Sequence, residues 1–196
     1  MGEVILIRHG ETEWSRTGRH TGRTDIALTA RGEEQGRSLA PMLAERKIVL
    51  TLVSPAQRAR RTAELAGLAD AETEERLWEW DYGAYEGRTT PQIRAERPGW
   101  YLWSDGVIGG ETPEQIAARV DAVLERVRPH LAEGDVALVA HGHVLRVLTA
   151  RWLGLPPADG RLFKLDTGTL STLGTEHDRP VISSWNVPPC PPHPAA

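Results

Sequence analysis

Two short apolar runs in this chain end in the same dipeptide. Val4-Ile5-Leu6-Ile7 leads into Arg8-His9-Gly10, and Val136-Ala137-Leu138-Val139-Ala140 leads into His141-Gly142. An uninterrupted apolar run of this length marks a strand buried on both faces, and such strands belong to parallel sheets covered by helices. Those sheets bind ligands outside the carboxyl ends of their strands. Each histidine therefore stands at the mouth of a crevice, and the glycine after it lets backbone and ligand approach closely. Arg8, planar and permanently charged, adds a bidentate donor for phosphate beside the first imidazole. This layout suits chemistry on an anion, with phosphoryl transfer through histidine as its leading form.

The chain has 196 residues, enough for one domain with a substantial core, expected at residues 1–187 with a Pro-rich tail at 188–196. A net charge of -4 offers no global attraction for nucleic acid or an anionic membrane. Arginines cluster locally instead, at Arg16, Arg19 and Arg23 and at Arg58, Arg60 and Arg61; solvated helix and loop faces account for part of each cluster. The single cysteine, Cys190, excludes an intrachain disulfide and a cysteine-based metal cluster. The first apolar run is too short for a signal segment or a membrane span, and Leu6 stands where a myristoylation motif needs Ser or Thr. The expectation is a soluble cytoplasmic protein acting on a phosphorylated small molecule, with no nucleic-acid or membrane partner and a homodimer as a candidate assembly.

Between the two histidine motifs, helical and extended patterns alternate. Thr29 precedes a helix over residues 30 to about 47, which Pro41 should kink or divide. Residues 48–53 read as a buried strand, and Ser54-Pro55 as a cap plus first helical residue of a helix reaching about residue 68. Its amino end would bring N–H groups and Arg58 to the crevice of His9. Residues 76–88, rich in Trp, Tyr and Gly, predict a short strand and then an active-site loop. Thr90-Pro91 and Thr112-Pro113 open two further helices, to about residues 96 and 132. In the longer one Ile116, Val120, Val123, Leu124, Val127 and Leu131 keep helical spacing and belong to the core. Residues 144–153 are helical, and 162–165, 168–173 and 181–185 are expected as strands at a sheet edge. The fold class is α/β, a three-layer α/β/α sandwich with a mostly parallel central sheet.

Ordered blocks extend the first motif: Glu11-Thr12-Glu13-Trp14-Ser15, His20-Thr21-Gly22 with Asp25, Leu28-Thr29, the segment from Ser54 through Ala63, Leu77-Trp78-Glu79 with Gly83 and Glu86-Gly87, Gly110-Glu111-Thr112, and Ala140-His141-Gly142. A bare Arg-His-Gly recurs by chance, but this series at these spacings spans nearly the whole chain up to about Gly174. It resembles the histidine phosphatase superfamily in its phosphoglycerate-mutase-like branch. That resemblance implies the same sandwich architecture and chemistry through a phosphohistidine. Within the branch the chain looks similar to sedoheptulose bisphosphatase-like and broad-specificity acid phosphatases, although His20 stands where an aromatic Tyr is expected.

Phosphoryl transfer needs a nucleophile, positive charge for the equatorial oxygens and an acid for the leaving group. His9 is assigned as nucleophile, its pKa depressed by Arg8 and Arg58. Arg8, Arg58 and His141 form the charge-stabilising set. Arg60 or Arg61 could replace Arg58 on sequence grounds; the resemblance favours Arg58. It likewise selects Glu79 as acid over Glu11, Glu13, Asp81 and Glu86, with Trp78 and Trp80 expected to raise its pKa. Ser15, Thr21 and Gly22 match positions that contact phosphate or substrate in relatives. Gly142 and His143 are placed on the substrate side. His141-Gly142-His143 could also bind a metal, but no carboxylate or cysteine cluster accompanies it, so no metal and no cofactor is expected. Trp80, Tyr82, Tyr85, Trp100, Trp103 and Arg146 are candidates for the specificity wall.

Glu79 and His141 lie 62 positions apart, without the longer segment by which mutases close the site. An open site admits water and favours a phosphatase. A phosphoglycerate mutase and a catalytically quiet phospholigand-binding protein are the two alternatives.

Overall fold

The computed structural model describes residues 2–68 and 70–189. Its regular elements are β1 (Val4–Arg8), α1 (Glu13–Arg16), α2 (Ala30–Leu43), β2 (Ile48–Val53), α3 (Gln57–Leu65), β3 (Glu72–Thr73), α4 (Thr90–Glu96), α5 (Leu102–Asp105), α6 (Pro113–Val127), β4 (Asp135–Ala140), α7 (Gly142–Trp152), β5 (Leu170–Glu176) and β6 (Arg179–Val187). The six strands form one sheet in the order β3-β2-β4-β1-β5-β6. β3, β2, β4 and β1 run parallel, and the β5–β6 hairpin is added antiparallel on the far side of β1.

Alternation along the central strands divides the core in two. Val4 and Leu6 of β1 and Val136, Leu138 and Ala140 of β4 enter one cluster with α6 and α7. Ile5, Ile7, Ala137 and Val139 enter the other, with Leu39 and Leu43 of α2 and Ala59 and Ala63 of α3. Helices thus cover both faces, giving the α/β/α sandwich read from the sequence. Each fully buried Leu, Ile or Val here contributes about 1.5–3 kcal/mol. That is why the apolar runs are continuous.

Register sets the site. β1 and β4 pair with Arg8 opposite Ala140, so the next residues, His9 and His141, emerge side by side, and His9 N donates to Ala140 O at 3.0 Å. β2 pairs with β4 up to Val53 opposite Val139, which puts Ser54 level with Ala140 and within reach of His141. Three neighbouring parallel strands therefore deliver three polar side chains to one carboxyl edge.

Several local expectations are corrected. The first long helix ends at Leu43, two residues beyond Pro41; the proline forfeits one i→i−4 hydrogen bond, yet the helix runs through it as one element before it stops. Ser54 does not cap α3, which starts at Gln57 with no side-chain cap from Ala56 and ends at Leu65; Asp25 Oδ1 accepts from Gln57 N at 2.9 Å instead. The strand expected within residues 76–88 lies upstream as β3, and the segment itself forms two 3-10 turns, Glu75–Leu77 and Gly83–Tyr85. Thr89 rather than Thr90 caps α4, because its capping box with Gln92 puts Pro91 at the second helical position. Thr112 caps α6 as expected. That helix passes into a 3-10 turn, Arg128–Ala132, at Pro129. Residues 162–165 form no strand: Leu165 O accepts from Arg8 rather than from a ladder partner. Cys190 and the rest of the expected tail, residues 190–196, lie outside the described residues. Among the described residues no helix is long and apolar enough to cross a membrane.

Candidate active site

His9 follows β1 and is only 4% exposed. Its Nδ1 lies 2.7 Å from Gly10 O. A carbonyl oxygen only accepts, so Nδ1 carries the proton and Nε2 keeps its lone pair. Burial, reinforced by Arg58 and Arg8, holds the ring well below the usual imidazole range and keeps it neutral. A neutral imidazole of fixed tautomer with its free nitrogen in a crevice has the form that nucleophilic attack requires. Gly10 serves packing, not ligand approach: a Cβ there would sit 2.2 Å from Gly32 O at the start of α2.

A cavity of about 390 Å³ opens at this edge of the sheet, lined by Arg8, His9, Ser15, Thr21, Glu79, Gly142 and His143 among others. Arg8 donates to Leu165 O at 2.5 Å, while its Nε is buried with no hydrogen-bond partner. The guanidinium lies against the first residue of α7, where a Cβ on Gly142 would come within 3.3 Å of Arg8 Cζ. At this helix start Glu79 accepts from His143 N (2.9 Å) and Val144 N (2.8 Å), besides Trp80 N (2.8 Å). Glu79 is thus fixed by backbone donors, beside the first N–H of the helix, that of Gly142. A helix N-terminus, an orphaned guanidinium nitrogen and an imidazole lone pair have together the chemistry that a phosphoryl group requires.

Arg58, His141 and Gly22 stand behind this lining. Arg58 is fully buried, whereas Arg60 and Arg61 are exposed, which separates the three candidates. It donates from Nε to His141 Nδ1 (3.1 Å) and from its terminal nitrogens to Thr24 O (2.9 Å) and Gly22 O (3.0 Å). Burial, followed by Arg58 and His9, keeps His141 well below its ordinary pKa, so with Nδ1 accepting, its proton rests on Nε2. That proton goes to Ser54 Oγ at 2.7 Å. His141 and Arg58 are thus bonded to one another, to Ser54 and to the 22–24 loop, with Trp78 stacked parallel to His141 at 6.4 Å and Arg23 over Trp78 at 5.2 Å.

Three further expected contact residues have hydrogen-bond partners within the protein. Gly22 N donates to the Glu86 carboxylate at 2.9 and 3.0 Å, as does Thr24 N at 3.1 Å, so Glu86 anchors the 21–24 loop. Ser15 closes a capping box with Thr12 at the start of α1. Thr21 Oγ1 donates to Arg19 O at 3.2 Å. Ser15 and Thr21 still reach the cavity surface.

Of the proposed specificity wall, Tyr82, Trp100, Trp103 and Arg146 line the cavity, while Trp80 and Tyr85 are core. His143 Nδ1 is 2.5 Å from Tyr82 OH. Burial pushes Tyr82 well above the usual phenol range and, with Arg146, His143 well below the usual imidazole range, so both are neutral. His20 gives its Nδ1 proton to Arg88 O at 2.8 Å and packs edge-on against Tyr82 at 4.9 Å. Ser54 went unrecognised because Ser-Pro signals a helix cap. Arg94 of α4 also lines the cavity, and nothing in the sequence marks an arginine in a short polar helix. Among the described residues no group of three His, Cys, Asp or Glu is arranged to hold a metal.

The sequence agrees with known proteins as the geometry does. Residues 4–188 match the profile of the histidine phosphatase superfamily (branch 1). An acid phosphatase of Mycobacterium tuberculosis is 42% identical over 176 residues, covering 89% of this chain and 87% of its own. A sedoheptulose 1,7-bisphosphatase of Saccharomyces cerevisiae is 38% identical over 183 residues, covering 77% and 67%. The solved structure of the Rv3214 open reading frame product from Mycobacterium tuberculosis superposes with a TM-score of 0.92 at 38% identity, covering 96% of this chain and 99% of that one. With a family profile matched over nearly its whole length, and an imidazole lone pair where that family does its chemistry, the chain belongs to the histidine phosphatase superfamily.

Proposed function

We propose that His9 Nε2 is the nucleophile and Glu79 the proton carrier in hydrolysis of small phosphorylated metabolites by this phosphatase. The observation that carries this reading is the locked Nδ1 proton of His9, which leaves Nε2 free in a cavity also holding the unpartnered Arg8 Nε. In the first step the Nε2 lone pair attacks phosphorus, the P–O ester bond breaks, and the leaving oxygen takes a proton from the Glu79 carboxyl. In the second, the Glu79 carboxylate takes a proton from water, the oxygen attacks phosphorus, and the N–P bond breaks to give inorganic phosphate and free His9. Arg8 and the amino end of α7 neutralise the equatorial oxygens in both steps. Arg58 and His141, bonded to each other, add the positive charge and the N–H dipoles of the charge-stabilising set, and Arg58 also holds the 22–24 loop. The acid phosphatase and bisphosphatase relatives share this demand, a phosphate ester on a small molecule.

The test is phosphate release by wild type and His9→Ala from p-nitrophenyl phosphate, with formation of 2-phosphoglycerate from 3-phosphoglycerate followed in parallel. The expected result is hydrolysis by wild type and none by a folded His9→Ala protein. Activity retained in the variant would overturn the assignment of the nucleophile, and isomer formation outpacing hydrolysis would make the enzyme a mutase.

A further inference from the structure

Among the described residues the Arg8 guanidinium makes no ion pair, and its one hydrogen bond goes to the Leu165 carbonyl at 2.5 Å. Where that carbonyl points therefore decides where the guanidinium points. Leu165 belongs to no strand or helix, so no ladder fixes its carbonyl. Its neighbours are held instead by the far edge of the sheet. Trp185 Nε1 donates to Lys164 O at 2.6 Å. Asn186 Oδ1 accepts from Asp166 N at 2.7 Å, and Asn186 Nδ2 donates to Asp166 Oδ2 at 2.9 Å. Two adjacent side chains of β6 thus clamp the residues on either side of Leu165.

A departure from regular strand pairing makes this clamp possible. Leu170 of β5 pairs with Val187 and Thr172 with Ser184, so Trp185 and Asn186 together oppose Ser171. That is a β-bulge, an extra residue that re-aims side chains and recurs at sheet edges and beside active sites. In a regular strand two consecutive side chains would point to opposite faces rather than hold one loop between them. Asn186 has a left-handed backbone with a φ of 54°, and its N–H donates to Ser171 Oγ at 2.9 Å. Asparagine enters this region more readily than most residues, and Asn186 is the only asparagine in the chain. A glycine would serve the backbone as well. What the amide adds is an acceptor for Asp166 N and a donor to the Asp166 carboxylate.

We infer that Trp185 and Asn186 are positioning residues of the phosphatase reaction: from the edge of the sheet they fix the Leu165 carbonyl, and through it the aim of Arg8 at the phosphoryl group. The inference rests on Arg8 as a charge-stabilising residue. Neither Trp185 nor Asn186 is among the residues lining the cavity, so both act through Arg8 rather than on substrate. A misplacement of about 1 Å caused far from the chemistry costs up to about 10² in rate, so a clamp at the sheet edge is felt at phosphorus. Ser184 bonds Thr172 at 2.8 Å in the same hairpin without reaching the loop, and serves as the structural control.

The experiment measures kcat and KM for p-nitrophenyl phosphate, with melting temperature, in wild type, Asn186→Gly, Trp185→Phe, Arg8→Gln, Arg8→Gln/Asn186→Gly and Ser184→Ala. Asn186→Gly keeps the backbone conformation and removes the amide, so kcat is expected to fall about tenfold with KM little changed, the mark of a donor that acts mainly in the transition state. Trp185→Phe keeps an aromatic ring against Phe163 and loses the N–H, and should lower kcat in the same way. On the Arg8→Gln background Asn186→Gly should lower kcat no further, because its effect runs through the guanidinium already removed. Ser184→Ala should keep the wild-type kcat even where its melting temperature drops. Asn186→Asp alone opposes two carboxylates and should lose rate, whereas Asn186→Asp/Asp166→Asn exchanges donor and acceptor across the pair and should restore most of it. That exchange decides the question if Asn186→Gly does not fold. A wild-type kcat in Asn186→Gly, a loss that persists in full on the Arg8→Gln background, an equal loss in Ser184→Ala, or an exchange that restores nothing overturns the inference. Full activity in Arg8→Gln alone would overturn the reading of Arg8 itself, and the inference with it, so the two failures are seen in different variants.

Discussion

At the scale of single residues, the site works by removing choices from its histidines. Gly10 O fixes the proton of His9 on Nδ1, and Arg58 and Ser54 fix that of His141 on Nε2, so each ring has one tautomer before substrate arrives. Arg8 faces the cavity with an unpaired Nε, and Arg8→Gln should lower kcat by about 10²–10³, the cost of losing one preorganised donor. A loss below threefold in steady-state kinetics would remove Arg8 from the charge-stabilising set. Ser54→Ala leaves a buried N–H of His141 unpaired and should cost about 1–3 kcal/mol in chemical unfolding. An unchanged midpoint and slope would mean that the ring finds another acceptor.

The elements act through register and helix ends. Pairing of β1 and β4 places His9 beside His141, and α7 begins on the residue after His141, so its first N–H groups meet Glu79 and the cavity without a connecting loop. Gly142→Ala should therefore displace the Arg8 guanidinium by a few tenths of an ångström and lower kcat/KM on the order of tenfold with little change in melting temperature. Wild-type kinetics in that variant would show that Arg8 has room to move. This layout was legible in the sequence, because a continuous apolar run followed by His-Gly reports both burial and the strand end. What stayed hidden depended on partners distant in sequence. Ser-Pro before a helix looks like a cap, and Ser54 became part of the site only because Asp25, 32 positions before Gln57, took the capping bond. Gly22 looked like a phosphate donor, but Glu86, 64 positions away, takes its N–H. Pro-containing caps read well where the capping box was in the local sequence, as at Thr112, and slipped by one residue where two threonines stood in a row, at Thr89 and Thr90.

For the whole molecule, burial of several neutral imidazoles links stability to pH. His9, His141 and His143 are held well below their ordinary pKa and His20 is lowered too, in each case by burial first. Below about 6.5 the unfolded chain takes up these protons while the folded protein does not, so the unfolded state binds more. Stability is then full above about 6.5 and falls as the pH drops below it, by up to about 1.4 kcal/mol per pH unit for each of His9, His141 and His143. Glu74, held at about 2 by Arg76 and Arg126, adds its own loss only below 4.5, so denaturation between pH 5 and 7.5 isolates the histidines. A flat profile across that window would contradict their burial as neutral groups. Catalysis should also be indifferent to chelation, with EDTA leaving phosphate release unchanged; inhibition reversed by added metal would require a different mechanism. The central claim is that a phosphoryl group passes through His9 Nε2. It is tested most directly by quenching the enzyme during turnover of a radiolabelled phosphomonoester and mapping the label. The account predicts an acid-labile, alkali-stable phosphohistidine on the peptide containing His9, absent in His9→Ala. Label on another residue, or none during rapid turnover, would contradict it.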